Sequence, residues 1–374
     1  MDRSGLGGVR VAVVGGDARQ AAVAEGLASL GALVNAAGVK PRPGKRIFND
    51  ERILDDTRFP DDAQTIDDAR IIGSTRIRVV PSLAEAIRGT DALVGPMAEI
   101  REDGYLGPEG EPGPDRKLGP RKLESEWKLG LHRMPGPDRK PGPDRRLESV
   151  GTEQGREFSL TQPAVIELIQ PGYLVFAGRL APSLQQVLSA RGALLHELFD
   201  HEELPVLNSI PSAEGALQLA MELSGITVHG SKCLVLGFGR LGTTLGVKLA
   251  ALAALVTVAA ARREELARAR ALGLRALPLG EIAGRVALYD FIFNTIPAVV
   301  VGKDAVSRLD PESVLIDLAS APGGFDLSAA AACSLQVHAA PGLPAKSAPT
   351  TAGRLVAEVV GRTIAEELAA RRST

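Results

Sequence analysis

Apolar positions fall into short blocks separated by glycine-rich turns and by alanine-rich stretches with helical spacing. The first block is the β-branched run Val9–Val14, which stops at Gly15-Gly16-Asp17 and gives way to an Ala-rich stretch reaching Leu30. A short apolar block, a glycine turn and a helical pattern, in that order, predict a strand–turn–helix unit. Asp17 stands where a carboxylate accepts one of the free amides of a helix start. Apolar pieces at Ala92–Val94, Leu174–Ala177 and Pro205–Leu207 repeat the strand signal, and Pro182–Ala190 reads as a helix. Pro211–Ser224 carries apolar residues at helical spacing with a proline near the first turn, the signature of another helix. A second strand–glycine–helix unit opens at Lys232–Leu236, with a helix over Leu241–Leu252. Leu255–Ala259, Asp290–Asn294 and Val314–Leu318 follow as strands, and Thr351–Ala370 as a closing amphipathic helix.

Strands alternating with helices predict an α/β chain made of two open, doubly wound domains. The boundaries are expected at residues 1–208 for an N-terminal α/β domain and 209–349 for a second, which begins with a hinge helix at 209–225. Residues 350–374 are expected to form a helix that returns to the first domain. Residues 107–150 break the pattern: eight prolines and seven glycines fall in 44 residues, and GPDR occurs at Gly113–Arg116, Gly136–Arg139 and Gly142–Arg145. Such a composition buries too little apolar surface to offset its ordering entropy, so a disordered insertion in the first domain is expected.

Length and composition narrow the function. At 374 residues, 45% hydrophobic and 24% charged, the chain is ordinary globular material for two or three domains. Forty-three basic against 45 acidic residues give a net charge of −2, so no positive field exists to hold a polyanion, and nucleic acid and anionic membrane are poor partners. Aromatic residues, at 3%, are too few for base-stacking platforms. Cys233 and Cys333 form neither a disulfide framework nor a zinc site. No apolar run is long enough for a membrane helix or a secretory signal, so a cytoplasmic protein is expected.

The most specific motif is Gly237-Phe238-Gly239-Arg240-Leu241-Gly242, preceded by a strand and followed by a helix. In that context the first glycine permits the tight turn, the second lets backbone approach a pyrophosphate, and the third allows close helix–strand packing. This marks residues 209–349 as a Rossmann dinucleotide-binding domain. After the next strand, where NAD enzymes carry an Asp or Glu, the chain reads Ala260-Ala261-Arg262-Arg263. Two guanidinium groups there suit a 2′-phosphate, which favours NADP while leaving NAD open. Asn294-Thr295-Ile296-Pro297 and Asp317-Leu318-Ala319 end two strands and are expected to border the nicotinamide half of the cofactor.

Substrate candidates lie elsewhere. Asp17 and Arg19 sit at a helix start suited to a small carboxylate. Asn208, Ser209 and Glu214 sit at the domain junction, as do Lys346, Thr350 and Thr351 in PGLPAKSAPTTAG. The stretch from Gly38 to Lys45 imitates a phosphate loop but has the wrong spacing and lacks the Ser or Thr. The five histidines show no ligand spacing, and no metal site is expected.

Taken together, VAVVGGDARQ, LNSIPSAEGALQLAM, HGSKCLVLGFGRLG, NTIP, LIDLASAPGG and APGLPAKSAPTTAG resemble the family of dipicolinate synthase A subunits. The likeness is near-continuous from Asp200 onward and strong again at residues 9–30, whereas residues 38–160 match poorly. Thr350 stands where many members carry lysine, which leaves Lys346 as the cationic contact. The resemblance implies NAD(P)-dependent oxidation of dihydrodipicolinate to dipicolinate in the mother-cell cytoplasm of a sporulating bacterium. It also implies a flavoprotein-like partner, the dipicolinate synthase B subunit, together with a small dicarboxylate substrate; a homo-oligomer stays open. No catalytic base is assigned, although Asp17 and Glu214 are candidates. Two other readings remain: a non-catalytic NADP-binding regulatory subunit, and a related 2-hydroxy acid dehydrogenase, which would need a histidine–carboxylate pair that does not stand out.

Overall fold

The computed structural model describes residues 5–39, 70–71, 76–97, 99–100 and 159–373. The expected disordered insertion at 107–150, and all but the start of the phosphate-loop imitation, lie outside the described residues.

The chain forms two parallel sheets. The first is built from β1 (Arg10–Val14), β2 (Leu33–Ala37), β3 (Arg70–Ile71), β4 (Ile77–Val79), β5 (Ala92–Val94), β7 (Leu174–Ala177) and β9 (Leu194–Glu197), in the order β3-β4-β2-β1-β5-β7-β9. All its pairings are parallel except β3 with β4. β6 (Glu99–Ile100) and β8 (Arg179–Leu180) pair separately. Side chains alternate across the first sheet as the pleat requires. Val11 and Val13 join the core under α1 (Arg19–Ser29) and α11 (Pro349–Arg372). Ala12 and Val14 join the core under α2 (Leu83–Ile87), α3 (Pro163–Ile166) and α4 (Pro182–Ala190).

The second sheet contains β10 (Lys232–Leu236), β11 (Leu255–Ala260), β12 (Arg275–Pro278), β13 (Phe291–Asn294), β14 (Val314–Asp317) and β15 (Val337–Ala339). Its order, β12-β11-β10-β13-β14-β15, is parallel throughout and is the Rossmann order, with the switch point between β10 and β13. One face packs on α5 (Glu203–Leu223), α6 (Arg240–Ala251) and α7 (Arg263–Ala271), the other on α8 (Lys303–Val306), α9 (Leu327–Ala332) and two short 3-10 turns. The α/β, doubly wound expectation holds for both sheets.

Two local readings are corrected. Pro205–Leu207 is not a strand: it lies in the first turns of α5, because three apolar residues are too few to show a strand or a helix period. Pro211 sits mid-helix rather than near the first turn. It removes one backbone donor from α5, and its own carbonyl accepts the Ser347 hydroxyl at 3.3 Å from α10 (Leu343–Ser347).

The closing helix α11 packs along α1 through small residues. A Cβ on Gly353 would collide with the Arg19 carbonyl oxygen, and one on Gly361 would sit 2.7 Å from Leu30. Gly26 and Ala357 meet between these points. The two helices therefore run side by side in the same direction, with both N-termini at the same end.

Candidate functional site

The glycine turn leaves β10 at the switch point. Gly237 has φ +89°, and a side chain there would lie 2.6 Å from Thr295 Oγ1 and 2.8 Å from Ile296 Cγ1. A Cβ on Gly242 would collide with the Gly237 carbonyl oxygen. Gly239 differs: its φ is −76°, and nothing lies within 4 Å of where its Cβ would be. Two glycines thus let the turn fold against the helix, and the third leaves open space in front of the free amides of α6. That space, that donor set and the positive end of the helix dipole fit a diphosphate, so the residues present suit a dinucleotide.

The side chains of the motif do other work. Phe238 is fully buried and packs towards Gly246 of α6, and Leu241 is half-buried against the same core. Arg240 turns away to Glu202, with Nε 2.9 Å from Oε1. Of these three motif side chains, Phe238 and Leu241 thus pack inward, and Arg240 lies along the surface. Thr295 closes the turn by donating its hydroxyl to the Leu236 carbonyl at 2.8 Å.

At the ends of β13 and β14, Asn294 and Asp317 are buried against each other. Asn294 Nδ2 donates to Asp317 Oδ1 at 2.8 Å and to the Ile296 carbonyl at 2.9 Å. Asp317 also accepts the amides of Ala319, at 3.2 Å, and Gly324, at 2.8 Å. The polar atoms of these two side chains bond each other and loop backbone. They position the half-buried Thr295, Ile296, Leu318 and Ala319 and the exposed Pro297.

The strand-end arginines differ from each other. Arg262 binds Glu265 Oε1 through Nε at 3.1 Å and Nη2 at 2.5 Å, which raises the guanidinium pKa, whereas Arg263 is exposed at the start of α7. Arg262 is therefore held by a carboxylate one helical turn beyond the strand. The i,i+3 spacing of Arg262 and Glu265 in the sequence is the signal for this pair.

In the first domain, Asp17 accepts the Arg19 amide at 2.9 Å and the Arg19 guanidinium. It satisfies a helix-start donor, although the N-cap position itself is Ala18. Arg19 is thus a nearly buried, internally paired cation rather than a free one. Neighbouring Gln20 donates to the Val14 and Gly95 carbonyls at 3.2 and 2.8 Å, tying the carboxyl ends of β1 and β5 together.

The α1–α11 packing brings Thr350 and Thr351 to the end of the molecule where Arg19 and Asp17 lie. Lys346, exposed on α10, precedes them and makes no ion pair among the described residues. Ser209 and Glu214 do not join this group. The Ser209 hydroxyl meets Thr244 at 2.7 Å, and Glu214 meets Lys248 at 2.8 Å, so both tie α5 to α6. The Glu214 contact lies about two turns down α6 from the glycine turn. Asn208 is half-buried, and its side-chain amide makes no hydrogen bond among the described residues.

Burial pushes the Cys233 thiol up to about 11, which leaves it a core residue and no nucleophile. Among the described residues, no cluster of His, Cys, Asp or Glu is arranged to hold a metal, and no helix is long and apolar enough to cross a membrane.

No family model matches the chain. It is 36% identical over 157 residues to the A subunit of dipicolinate synthase from Bacillus subtilis (strain 168), a match covering 42% of this chain and 53% of that protein. The match thus spans about half the length of that curated relative. The crystal structure of the dipicolinate synthase A subunit from Bacillus halodurans superposes with a TM-score of 0.69 at 25% identity, over 96% of this chain and 98% of that one. The corresponding crystal structure from Bacillus subtilis gives 0.69 at 25% identity, over 97% and 98%. The resemblance carried by the sequence motifs is therefore present in sequence and in fold.

Proposed function

We propose that this chain is the dehydrogenase subunit of a dipicolinate synthase, an NADP-preferring oxidoreductase that converts dihydrodipicolinate to dipicolinate. The carrying observation is the open space at Gly239, at the switch point of a Rossmann sheet, in a chain similar over its length to the two dipicolinate synthase structures.

The amides from Gly239 to Gly242 receive the diphosphate, and Arg262 with Arg263 reads the 2′-phosphate. The Asn294–Asp317 pair holds the two loops that flank the nicotinamide. When bound, NADP supplies the hydride acceptor. The substrate loses a hydride and a ring proton and becomes aromatic, so orientation is the main demand on the protein.

The two substrate carboxylates are met by Lys346, by Thr350 and Thr351 at the start of α11, and by amides at the start of α1. Arg19, held by Asp17, shapes the start of α1 beside them. Asn208 offers a free amide on the hinge helix. The family likeness supports a flavoprotein-like partner protein and the cytoplasm of a sporulating mother cell as location.

The test supplies purified chain, with and without that partner, with enzymatically generated dihydrodipicolinate and either NADP or NAD. Reduced nicotinamide should accumulate in step with dipicolinate whenever this chain is present. Dipicolinate formed at the same rate without this chain would make it a non-catalytic nucleotide-binding component.

A further inference from the structure

The couple Arg262–Glu265 stands at a place where cofactors are told apart. β11 runs in register with β10, Leu236 opposite Ala259, so the strand end that leads into Arg262 lies beside the glycine turn. In a Rossmann sheet the end of this second strand faces the ribose that carries or lacks a 2′-phosphate. The Arg262 side chain is 70% exposed there, whereas that of Glu265 is 10% exposed. Nε and Nη2 of Arg262 both address one oxygen, Glu265 Oε1, which occupies one edge of the guanidinium fork. Nη1 makes no hydrogen bond among the described residues.

We propose that Glu265 sets the cofactor discrimination of this chain: its carboxylate engages Arg262 and opposes a 2′-phosphate, which keeps the site open to NAD as well as NADP. The inference rests on the dinucleotide reading given above. Glu265 holds two of the Arg262 donors that a 2′-phosphate would use, and its carboxylate repels the phosphate charge. A ribose hydroxyl meets no such repulsion, and carboxylates at this strand end are its usual acceptors. The two residues therefore act in opposite senses: Arg262 favours the phosphorylated cofactor, and Glu265 restrains that preference.

Calorimetric titration of the full chain with NADP and with NAD tests this, using the unmodified protein, Glu265→Gln and Arg262→Gln. Glu265→Gln should tighten NADP about fivefold, the order of one charge-assisted contact at a partly exposed site, with NAD unchanged or weaker. Arg262→Gln should move the ratio of the two Kd values the other way. If Glu265→Gln leaves both Kd values unchanged, or shifts both by one factor, the inference is wrong although the cofactor reading stands. An unmodified chain that binds neither nucleotide overturns the cofactor reading and this inference with it. Thermal unfolding checks that the Glu265→Gln chain folds. If it does not, Glu265→Asp withdraws the carboxylate from Arg262 by one methylene and should give a smaller shift towards NADP, its absence again counting against the proposal.

Discussion

Asn294 and Asp317 are register partners at the carboxyl ends of adjacent strands, and the Asn294 amide donates to the Asp317 carboxylate at 2.8 Å. The carboxylate also collects the Gly324 amide, and a Cβ on Gly324 would collide with the Asn294 side chain. The strand ends and the glycine loop behind them therefore fit as one piece.

Removing the acceptor should break that piece. Asp317→Ala leaves one N–H of the buried Asn294 amide and the Gly324 N–H without an acceptor, at a cost of about 2–4 kcal/mol. Chemical denaturation should report that loss. Nucleotide affinity should fall with it although no cofactor contact has been deleted; a variant as stable as the parent would show that the pair is dispensable.

The glycines of the turn should separate by role. Gly242→Ala sets a Cβ against the Gly237 carbonyl and should destabilise the chain by about 1–3 kcal/mol. Gly239→Ala meets only open space at an ordinary φ, so stability should change by less than about 0.5 kcal/mol. Its methyl group nevertheless enters the space assigned to the diphosphate, and binding of either nucleotide should drop at least about tenfold. Unaltered binding would remove the diphosphate from this site.

Acid should loosen the contact between β9 and the end of α11. His196 stacks on Phe176 with ring centroids 4.8 Å apart, and its Nε2 lies 3.4 Å from Glu367 Oε1 without hydrogen-bond alignment. Burial lowers its pKa below the ordinary 6.5, with His201 acting in the same direction and Glu367 opposing. A folded-state pKa below the unfolded one means that the unfolded chain binds more protons. Stability is therefore undiminished above about pH 6.5–7 and declines as pH falls through the unfolded value towards the folded one. His338, lowered by burial alone, adds to the same slope. Thermal midpoints measured across that window should fall less steeply for His196→Gln than for the parent.

The seam between α1 and α11 should tolerate no added methyl. Gly353→Ala drives a Cβ into the Arg19 carbonyl and towards Ala22, and should cost about 1–3 kcal/mol. Since Thr350, Thr351 and Lys346 lie just before that crossing, the substrate KM should rise more than kcat falls. A rise in unfolding with no change in KM would separate the seam from the substrate site.

Much of this molecule is written locally. The strands at Lys232–Leu236 and Leu174–Ala177, the helix at Pro182–Ala190 and the glycine turn are each recognisable because backbone conformation there follows from neighbours in the chain: β-branched runs, a proline at a helix start, glycines where a Cβ cannot fit. Pro205–Leu207 shows the limit, since three apolar residues carry no period, and they are helical as the first turns of the long α5.

The candidate site was legible as backbone and much less so as side chains. Glycine spacing marks the open turn at the start of α6, because that requirement is met within six consecutive residues. What Asn294, Asp317, Ser209, Glu214, Arg240 and Arg19 do was decided elsewhere. Each is a polar group held by a partner, and for Ser209, Glu214 and Arg240 the partners Thr244, Lys248 and Glu202 are remote in sequence and adjacent only once the helices pack. Chain order thus determined the α/β architecture and the place of the turn, whereas tertiary contact decided which charged groups are spent inside the protein and which remain to meet a ligand, since a hydrogen bond is satisfied by whatever donor or acceptor the fold brings within about 3 Å.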